Sequence, residues 1–235
     1  MSANQLGELV NASPTRRKSI IVSAKFPKTA IVAQYRDAND NLLAFLQNPS
    51  RSNPNFLTKI EGLYEKSNDH ALSAWVKSDA GRSAEALEAV QSTYNKTSLG
   101  KLDLRQLPLK KPKVEMSGVQ VSSSATCSVH GAFKGRKAVG CLSVLFNKSE
   151  TSSNVRMERC RAAGVLSVLY SEQHLKSYGI AVPKLSMSYD VFAGKLVVAP
   201  KTYKTRLDNM KYACEDVAVW WPLIDPPSDY DGPPA

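Results

Sequence analysis

A nearly continuous apolar run over residues 138–146 constrains the fold of this chain more than any other segment. Its β-branched and aliphatic residues favour a strand, which we place over residues 137–146. A strand that is apolar on both faces belongs in the middle of a sheet that helices cover on both sides. The sequence therefore predicts an α/β protein with this strand inside its sheet. The run is too short to cross a bilayer, so we expect no membrane partner.

The spacing of the apolar residues changes between the two halves of the chain. From residue 30 to about residue 94 they recur at helical intervals, whereas strand-like runs follow a link rich in Pro and Lys at 107–112. We therefore divide the chain into a basic N-terminal arm (1–29), a helical region (30–106), an α/β core (107–224) and an acidic, Pro-rich tail (225–235). A short strand is expected in the arm at residues 20–22.

Three helices are predicted in the helical region. The second begins at Asn53 and Pro54, a typical pair for the cap and first turn of a helix. The third covers residues 75–94, and Gly81 is able to break it. The first has an apolar face made of Ile31, Tyr35, Ala38, Leu42 and Phe45.

The α/β core is predicted to contain three strands, a long helix, a half-buried hairpin and a last helix that packs on the sheet. Arg156 and Arg159 of the long helix are expected to face solvent. Gly194 is expected to form the turn of the hairpin. The elements are placed at residues 114–121, 126–130, 137–146, 152–177, 185–191 with 196–199, and 203–221.

Positive charge is concentrated in one part of the sequence. The formal net charge is +10, and residues 91–149 supply about +8 of it, with ten Lys or Arg side chains against Asp103 and Glu115. No acidic residue lies between Glu115 and Glu150. A local positive field attracts polyanions, whereas an evenly spread charge mostly favours solubility. We therefore expect a polyanionic partner.

Two groups of basic side chains form the predicted nucleic-acid-binding surface. Segment 131–137 has two glycines around a basic turn, which favours the exposed tip of a hairpin. Its Phe133 either stacks on a base or covers the end of the core. A solvated terminus is the alternative for the second group. The first group is Lys110, Lys111, Lys113, Lys134, Arg136, Lys137 and Lys148, and the second is Arg16, Arg17 and Lys18.

The cysteines are expected to be buried thiols, because their wide spacing does not resemble a disulfide framework. A zinc site at Cys127, His130 and Cys141 is disfavoured. In a strand, Cys127 and His130 point to opposite faces and cannot share one tetrahedral ion. No metal or cofactor is expected. The polar N-terminus lacks the apolar segment of a secretory signal, which favours a cytoplasmic protein.

The succession of helix, three strands, long helix, two strands and helix resembles the restriction-endonuclease-like PD-(D/E)xK superfamily over residues 72–224. The resemblance implies a mixed sheet flanked by helices and a metal-dependent phosphodiesterase site. The acidic positions of that site fall near residues 124–126 and 141–144, where this chain has no carboxylate. Mg²⁺ prefers oxygen ligands that include carboxylates. A displaced site at Asp190 and Lys195 is one alternative, and a turn-supporting role for Asp190 is the other.

These observations predict a non-catalytic protein that binds DNA or RNA through backbone contacts. The resemblance implies a place in a nucleoprotein or microbial defence complex with other protein subunits. One alternative is an interaction or inhibitor module that binds an acidic protein surface, and another is a nuclease with a displaced acidic site. The tail is expected to be extended or disordered, to fold back on the basic surface, or to dock on a partner through Trp220 and Trp221.

Overall fold

A six-stranded mixed sheet lies between two groups of helices in the computed structural model of this protein. The structure describes residues 1–27, 35–48, 50, 54–108, 113–146, 148 and 153–230. The helices within these ranges are α1 (Ala3–Val10), α2 (Pro14–Lys25), α3 (Arg36–Gln47), α4 (Leu57–Asn68), α5 (Ala74–Thr93), α6 (Ser153–His174) and α7 (Tyr203–Trp220). The strands are β1 (Asp103–Gln106), β2 (Lys113–Met116), β3 (Val119–Ser122), β4 (Ala125–Phe133), β5 (Arg136–Leu145), β6 (Ile180–Ala181), β7 (Met187–Asp190) and β8 (Lys195–Val198).

The apolar strand predicted at 137–146 is β5, the central strand of the sheet. The strand order is β1-β4-β5-β7-β8, and β6 also pairs with β5. Strands β1, β4 and β5 are antiparallel neighbours, whereas β5 and β7 are parallel and are connected through α6. Strands β7 and β8 form an antiparallel hairpin. The prediction of an α/β fold with a mixed sheet is therefore confirmed.

Side chains of β5 enter a hydrophobic core on each face of the sheet. Val139 and Cys141 pack in the core that contains α1, α2, α6 and α7. Leu142 and Val144 pack in the core that contains α3, α4 and α5. Because both faces of the strand are covered, alternation between polar and apolar residues is absent from its sequence.

A break in the neighbouring strand explains a glycine in the middle of β5. Strands β6 and β7 pair with the beginning and end of β5, and a 3₁₀ turn at Pro183–Leu185 separates them. A Cβ atom at Gly140 would lie 2.2 Å from the carbonyl carbon and oxygen of Leu185. The turn therefore crosses β5 at a point where no side chain fits.

The segment predicted as a single strand at 114–121 is instead the β2–β3 hairpin, a separate two-stranded sheet. Ser117 and Gly118 form its turn, with φ angles of 48° and 77°. The start of the chain binds this hairpin, because the Ser122 N–H donates to the carbonyl oxygen of Met1 at 2.9 Å. Helix α7 packs against the hairpin, α1 and α6. Helix α7 also shares the core that contains Val139 and Cys141 of β5, in agreement with the prediction that it packs on the sheet.

The predicted strand at 20–22 is wrong, because these residues lie in α2. Ser13 caps the helix, its Oγ accepting a hydrogen bond from the Arg16 N–H at 3.4 Å, and Pro14 occupies the first turn. This is a favourable helix start. Ile20 and Ile21 are buried against the core, so the tertiary packing decides between helix and strand.

The helical region contains the three expected helices with different starts. Helix α4 begins at Leu57, whose N–H donates to Asn55 Oδ1 at 3.3 Å; Asn53 lies outside the described residues, as does Ile31 of the first helix. Helix α5 is continuous through Gly81, so the break is wrong. Strand β1 follows α5 and was not predicted.

Residues 225–230 of the predicted tail contain no helix or strand, and the chain immediately before them is packed on the core. Ile224 is buried in the core, and Lys25 Nζ donates to the carbonyl oxygens of Trp221 and Ile224 at 2.8 Å each. The ring of Tyr230 lies edge-on to Phe26 at a centroid distance of 5.1 Å. None of the helices in the described ranges is long and apolar enough to span a membrane.

Candidate nucleic-acid interface

The predicted basic hairpin tip is present between β4 and β5. Phe133 pairs with Arg136 in the strand register, and Lys134 and Gly135 form the turn with φ angles of 49° and 74°. Two successive residues with positive φ are typical of the tight turns that match the twist of antiparallel strands. Lys134, Arg136 and Lys137 are exposed at this tip. Strand β4 continues through Phe133, so the connection is shorter than the predicted 131–135 segment.

Two adjoining open depressions lie beside this hairpin, at the C-terminal end of α6. One, of about 580 Å³, is lined by Arg136, Lys137 and Lys176 among others. The second, of about 540 Å³, is lined by Lys113 and again by Lys176. Glu172 lines both depressions. Charges that are far apart in the sequence are thereby gathered on one surface.

Hydrogen bonds from α6 hold Lys113 in this position. The Gln173 side chain pairs with the backbone of Glu115, accepting from its N–H at 3.1 Å and donating to its carbonyl oxygen at 2.9 Å. His174 Nε2 lies 2.9 Å from the Lys113 carbonyl oxygen. The end of α6 therefore fixes the β2–β3 hairpin next to the loop that carries Lys176.

We name the surface formed by Lys113, Lys134, Arg136, Lys137 and Lys176 the basic end. All five side chains are exposed. Glu115 and Glu172 are the carboxylates among the residues that line its two depressions. Five cations against two carboxylates leave a net positive field, which favours capture of a polyanion.

Two aromatic residues, Phe133 and Tyr178, neighbour cations of the basic end in the sequence. Tyr178 is 46% exposed and stands edge-to-face with His130 at a centroid distance of 5.8 Å. Burial and the nearby Arg105 lower the pKa of His130, so its imidazole adds no charge at neutral pH. Phe133 is half-buried, and Lys134 Nζ lies 5.6 Å from its ring centroid.

Several side chains of the predicted surface lie elsewhere or outside the described residues. Lys110 and Lys111 lie outside the described residues. Lys148 pairs with Glu85 at 2.6 Å and follows the far end of β5. Strand β5 has ten residues, so at about 3.3 Å per residue its ends are roughly 30 Å apart. Lys148 therefore does not join the basic end, and its inclusion is corrected.

The N-terminal cluster has a structural role in α2. Arg17 pairs with Asp216 of α7 at 2.9 Å and also donates to the carbonyl oxygens of Val10 and Ala12. Arg16 pairs with Glu8 at 3.3 Å, and Lys18 is exposed on the same helix. The expectation of a basic arm is corrected, because these side chains lie on a packed helix and two of them are ion-paired.

Hydroxyl groups occupy the positions where the resemblance places metal-binding carboxylates. Ser143 Oγ lies 2.8 Å from Ser167 Oγ of α6, in the buried core. Thr126 Oγ1 accepts a hydrogen bond from the Val144 N–H at 3.2 Å. Burial raises the pKa of Cys141 to about 12, so its thiol stays neutral at physiological pH. The Ser143 hydroxyl thus joins β5 to α6, and the Thr126 hydroxyl joins β4 to β5.

Asp190 has the turn-supporting role that the sequence left open. Its Oδ1 accepts from the Ala193 N–H at 3.0 Å, and the carboxylate pairs with Arg156.

The expectation that Arg156 and Arg159 face solvent is wrong. Arg156 is 21% exposed, and Arg159, at 20%, pairs with Glu8. Both arginines connect α6 to neighbouring elements.

No metal-binding cluster is found in the part of the chain that the structure describes: no group of three or more His, Cys, Asp or Glu side chains is placed to hold an ion. Cys127 and Cys141 enter opposite cores, and β4 runs unbroken from Cys127 past His130. All four cysteines are buried thiols, as predicted.

Sequence reasoning missed Lys176 and Tyr178. They lie in the short loop between α6 and β6, where a basic residue, an aromatic residue and Gly179 follow the predicted long helix. This local pattern is common in turns, and it indicates a binding surface only when Arg136 and Lys137 are placed beside it.

No protein-family model matches the sequence, and no curated protein matches it either.

Proposed function

We propose that this protein binds the sugar-phosphate backbone of DNA or RNA at its basic end and does not cleave it. The proposal rests on one observation: two adjoining depressions are lined by Lys113, Arg136, Lys137 and Lys176. Lys and Arg side chains that contact phosphates release condensed counterions, which supplies most of the free energy of nonspecific binding. The exposed hairpin tip adds Lys134 to the same surface.

The absence of cleavage follows from the chemistry of the central strands. Divalent-metal phosphodiesterases need carboxylates that hold the ion and position water. Here Ser143 and Thr126 occupy the corresponding strands, and Asp190 is paired with Arg156. Incubation of single- and double-stranded DNA and RNA with Mg²⁺ or Mn²⁺ should leave the strands intact. Cleavage that Asp190→Asn abolishes without lowering the melting temperature would contradict this part of the proposal.

The decisive binding experiment removes two cations from the basic end. The variant carries Arg136→Gln and Lys137→Gln, and the matched control carries Lys59→Gln and Lys204→Gln, which change the net charge equally on exposed positions of α4 and α7. Lys134 is retained because it lies in the hairpin turn and lines neither depression. Fluorescence anisotropy with labelled DNA and RNA reports the affinity.

Salt dependence gives the second readout. If about four phosphates are contacted, affinity for a single strand should fall by roughly fiftyfold between about 50 and 200 mM salt. The basic-end variant should bind more weakly and lose about 1.4 from the slope of log K against log salt, whereas the control should keep the wild-type slope. Equal effects of the two variants would show that the net charge, rather than this surface, drives binding.

An acidic protein surface is the alternative partner, because it would be attracted by the same field. Direct titration with nucleic acid separates the two. Failure to bind any DNA or RNA at about 50 mM salt, together with binding to an acidic polypeptide such as polyglutamate, would favour an interaction module. A cytoplasmic location and a role in a defence complex remain proposals that rest on the sequence and the resemblance alone.

A further inference from the structure

We propose that Tyr178 is a stacking platform for a nucleobase, and that the basic end therefore takes single-stranded nucleic acid in preference to duplex. This inference rests on the proposed function and names its substrate class. Tyr178 lies in the loop between α6 and β6, and 46% of it is exposed. A large aromatic surface of this kind is available to a ligand.

One backbone hydrogen bond and one ring contact restrict Tyr178. The Tyr178 N–H donates to the carbonyl oxygen of Leu175 at 2.9 Å, which closes the turn after α6. The phenol ring stands at 87° to the imidazole of His130. Contacts that restrict a ring reduce the conformational entropy that it loses when a base stacks on it.

The loop that carries Tyr178 borders the depression lined by Arg136, Lys137 and Lys176. Lys176 precedes Tyr178 by two residues, and Gly179 follows it and lines the same depression as Arg136 and Lys137. The loop approaches β5 so closely that a Cβ atom at Gly179 would lie 2.7 Å from the Lys137 carbonyl oxygen. The residues on either side of Tyr178 in the chain, Lys176 and Gly179, therefore line the same depression as Arg136 and Lys137, and proteins that hold single strands combine such cations with a stacking ring.

The preference for single strands over duplex follows from which faces of the bases are free to meet a protein. In a duplex, each base stacks on its neighbours, and only the edges and the backbone meet a protein surface. A single strand can turn a base out onto an aromatic ring while its phosphates contact adjacent cations. Phe133 is less suited to this role, because it is half-buried and the ammonium group of Lys134 lies over its ring.

The test compares labelled 20-nucleotide single strands, oligo(dT) and oligo(U), with a 20-base-pair DNA duplex by fluorescence anisotropy. Tyr178→Ala should weaken single-strand binding by about five- to a hundredfold, the range produced by loss of one base stack, and should leave duplex binding nearly unchanged. Tyr178→Phe and Tyr178→Trp should retain single-strand binding. Tyr212→Ala, at an exposed tyrosine of α7, is the matched control.

The outcomes separate the two proposals. Absence of all nucleic-acid binding would overturn both. Binding that the Arg136 and Lys137 substitutions weaken, but that Tyr178→Ala leaves unchanged or weakens equally for single strands and duplex, would overturn stacking and leave the backbone-binding function standing. Thermal unfolding of the Tyr178 variants checks that the fold is intact.

Discussion

The carboxylate of Asp190 accepts two hydrogen bonds from the guanidinium group of Arg156, at 2.7 Å from Nη2 and 3.1 Å from Nε. The Asp190 side chain is only 4% exposed. The pair joins the first turn of α6 to the end of β7, two elements that β6 and the 3₁₀ turn separate in the chain. It also neutralises the carboxylate of Asp190, which the sequence offered as part of an alternative, displaced metal site.

Loss of Arg156 should strongly destabilise the protein. Arg156→Gln leaves Asp190 buried without its cationic partner, which costs about 3 kcal/mol of unfolding free energy. Chemical denaturation measures this change. Arg105→Gln breaks the exposed pair with Asp103 and should change the stability far less, because solvent screens this pair. Similar losses in the two variants would show that burial does not distinguish these ion pairs.

Gly140 should tolerate no side chain. Gly140→Ala places a Cβ atom 2.2 Å from the Leu185 backbone, so β5 or the 3₁₀ turn must move, at a cost of about 3 kcal/mol or more. Gly62→Ala in α4 is the control, since no atom lies within 4 Å of its added Cβ. That variant should be neutral or stabilised by up to about 1 kcal/mol. A stable Gly140→Ala protein would show that the turn adapts freely.

Removal of a carboxylate from the basic end should strengthen nucleic-acid binding. Glu172 lines both depressions, and a phosphate about 7 Å away would be repelled by roughly 0.6 kcal/mol in water. Glu172→Gln should therefore increase affinity about threefold at low salt and less at high salt. Glu65→Gln, exposed on α4, is the control for net charge. No difference between the variants would place the bound phosphates away from Glu172.

The two parts of the tail should differ in their contribution to stability. Deletion of residues 222–235 removes buried Ile224 and the Tyr230 contact with Phe26, and should cost about 2–4 kcal/mol. Deletion of residues 231–235 leaves those contacts in place and should have little effect on the melting temperature. Equal melting temperatures for both truncations would contradict this role for Ile224.

Stability should fall as the pH rises above 9. Burial raises the pKa of Cys141 from 9.0 to about 12 and that of Cys214 to about 11. The folded state therefore keeps protons that the unfolded chain releases above pH 9, which favours unfolding by about 1.4 kcal/mol per pH unit for each thiol. Cys141→Ala should remove the contribution of one thiol, about 1.4 kcal/mol per pH unit, from this slope between pH 9 and 11. Denaturant titrations at several pH values measure the slope, and an unchanged slope would contradict the assignment.

Local sequence signals were sufficient where neighbouring residues carry the information. The apolar run of β5 predicted a central strand, and the apolar spacing predicted α7 and most of α6. The basic glycine-flanked turn predicted the β4–β5 hairpin. In each case, the periodicity of burial or the φ preference of the turn is a property of a short segment.

Residues 20–22 show the limit of such signals. Three β-branched residues in a row favour a strand, yet Ser13 and Pro14 start a helix whose Ile20 and Ile21 reach the core. The basic surface shows the same limit for charge. Arg17 and Lys148 look available in the sequence, but Asp216 and Glu85 lie far along the chain and pair with them only after folding.

The sequence by itself determined the fold class, the central strand and the excess of positive charge. Only the tertiary structure decided which cations lie together, because β6 and the end of α6 bring Lys176 beside Arg136, Lys137 and Lys113. Strand periodicity and net charge are sums over neighbouring residues, whereas a binding surface depends on distances between side chains. Those distances are set by strand register and helix packing across the whole core.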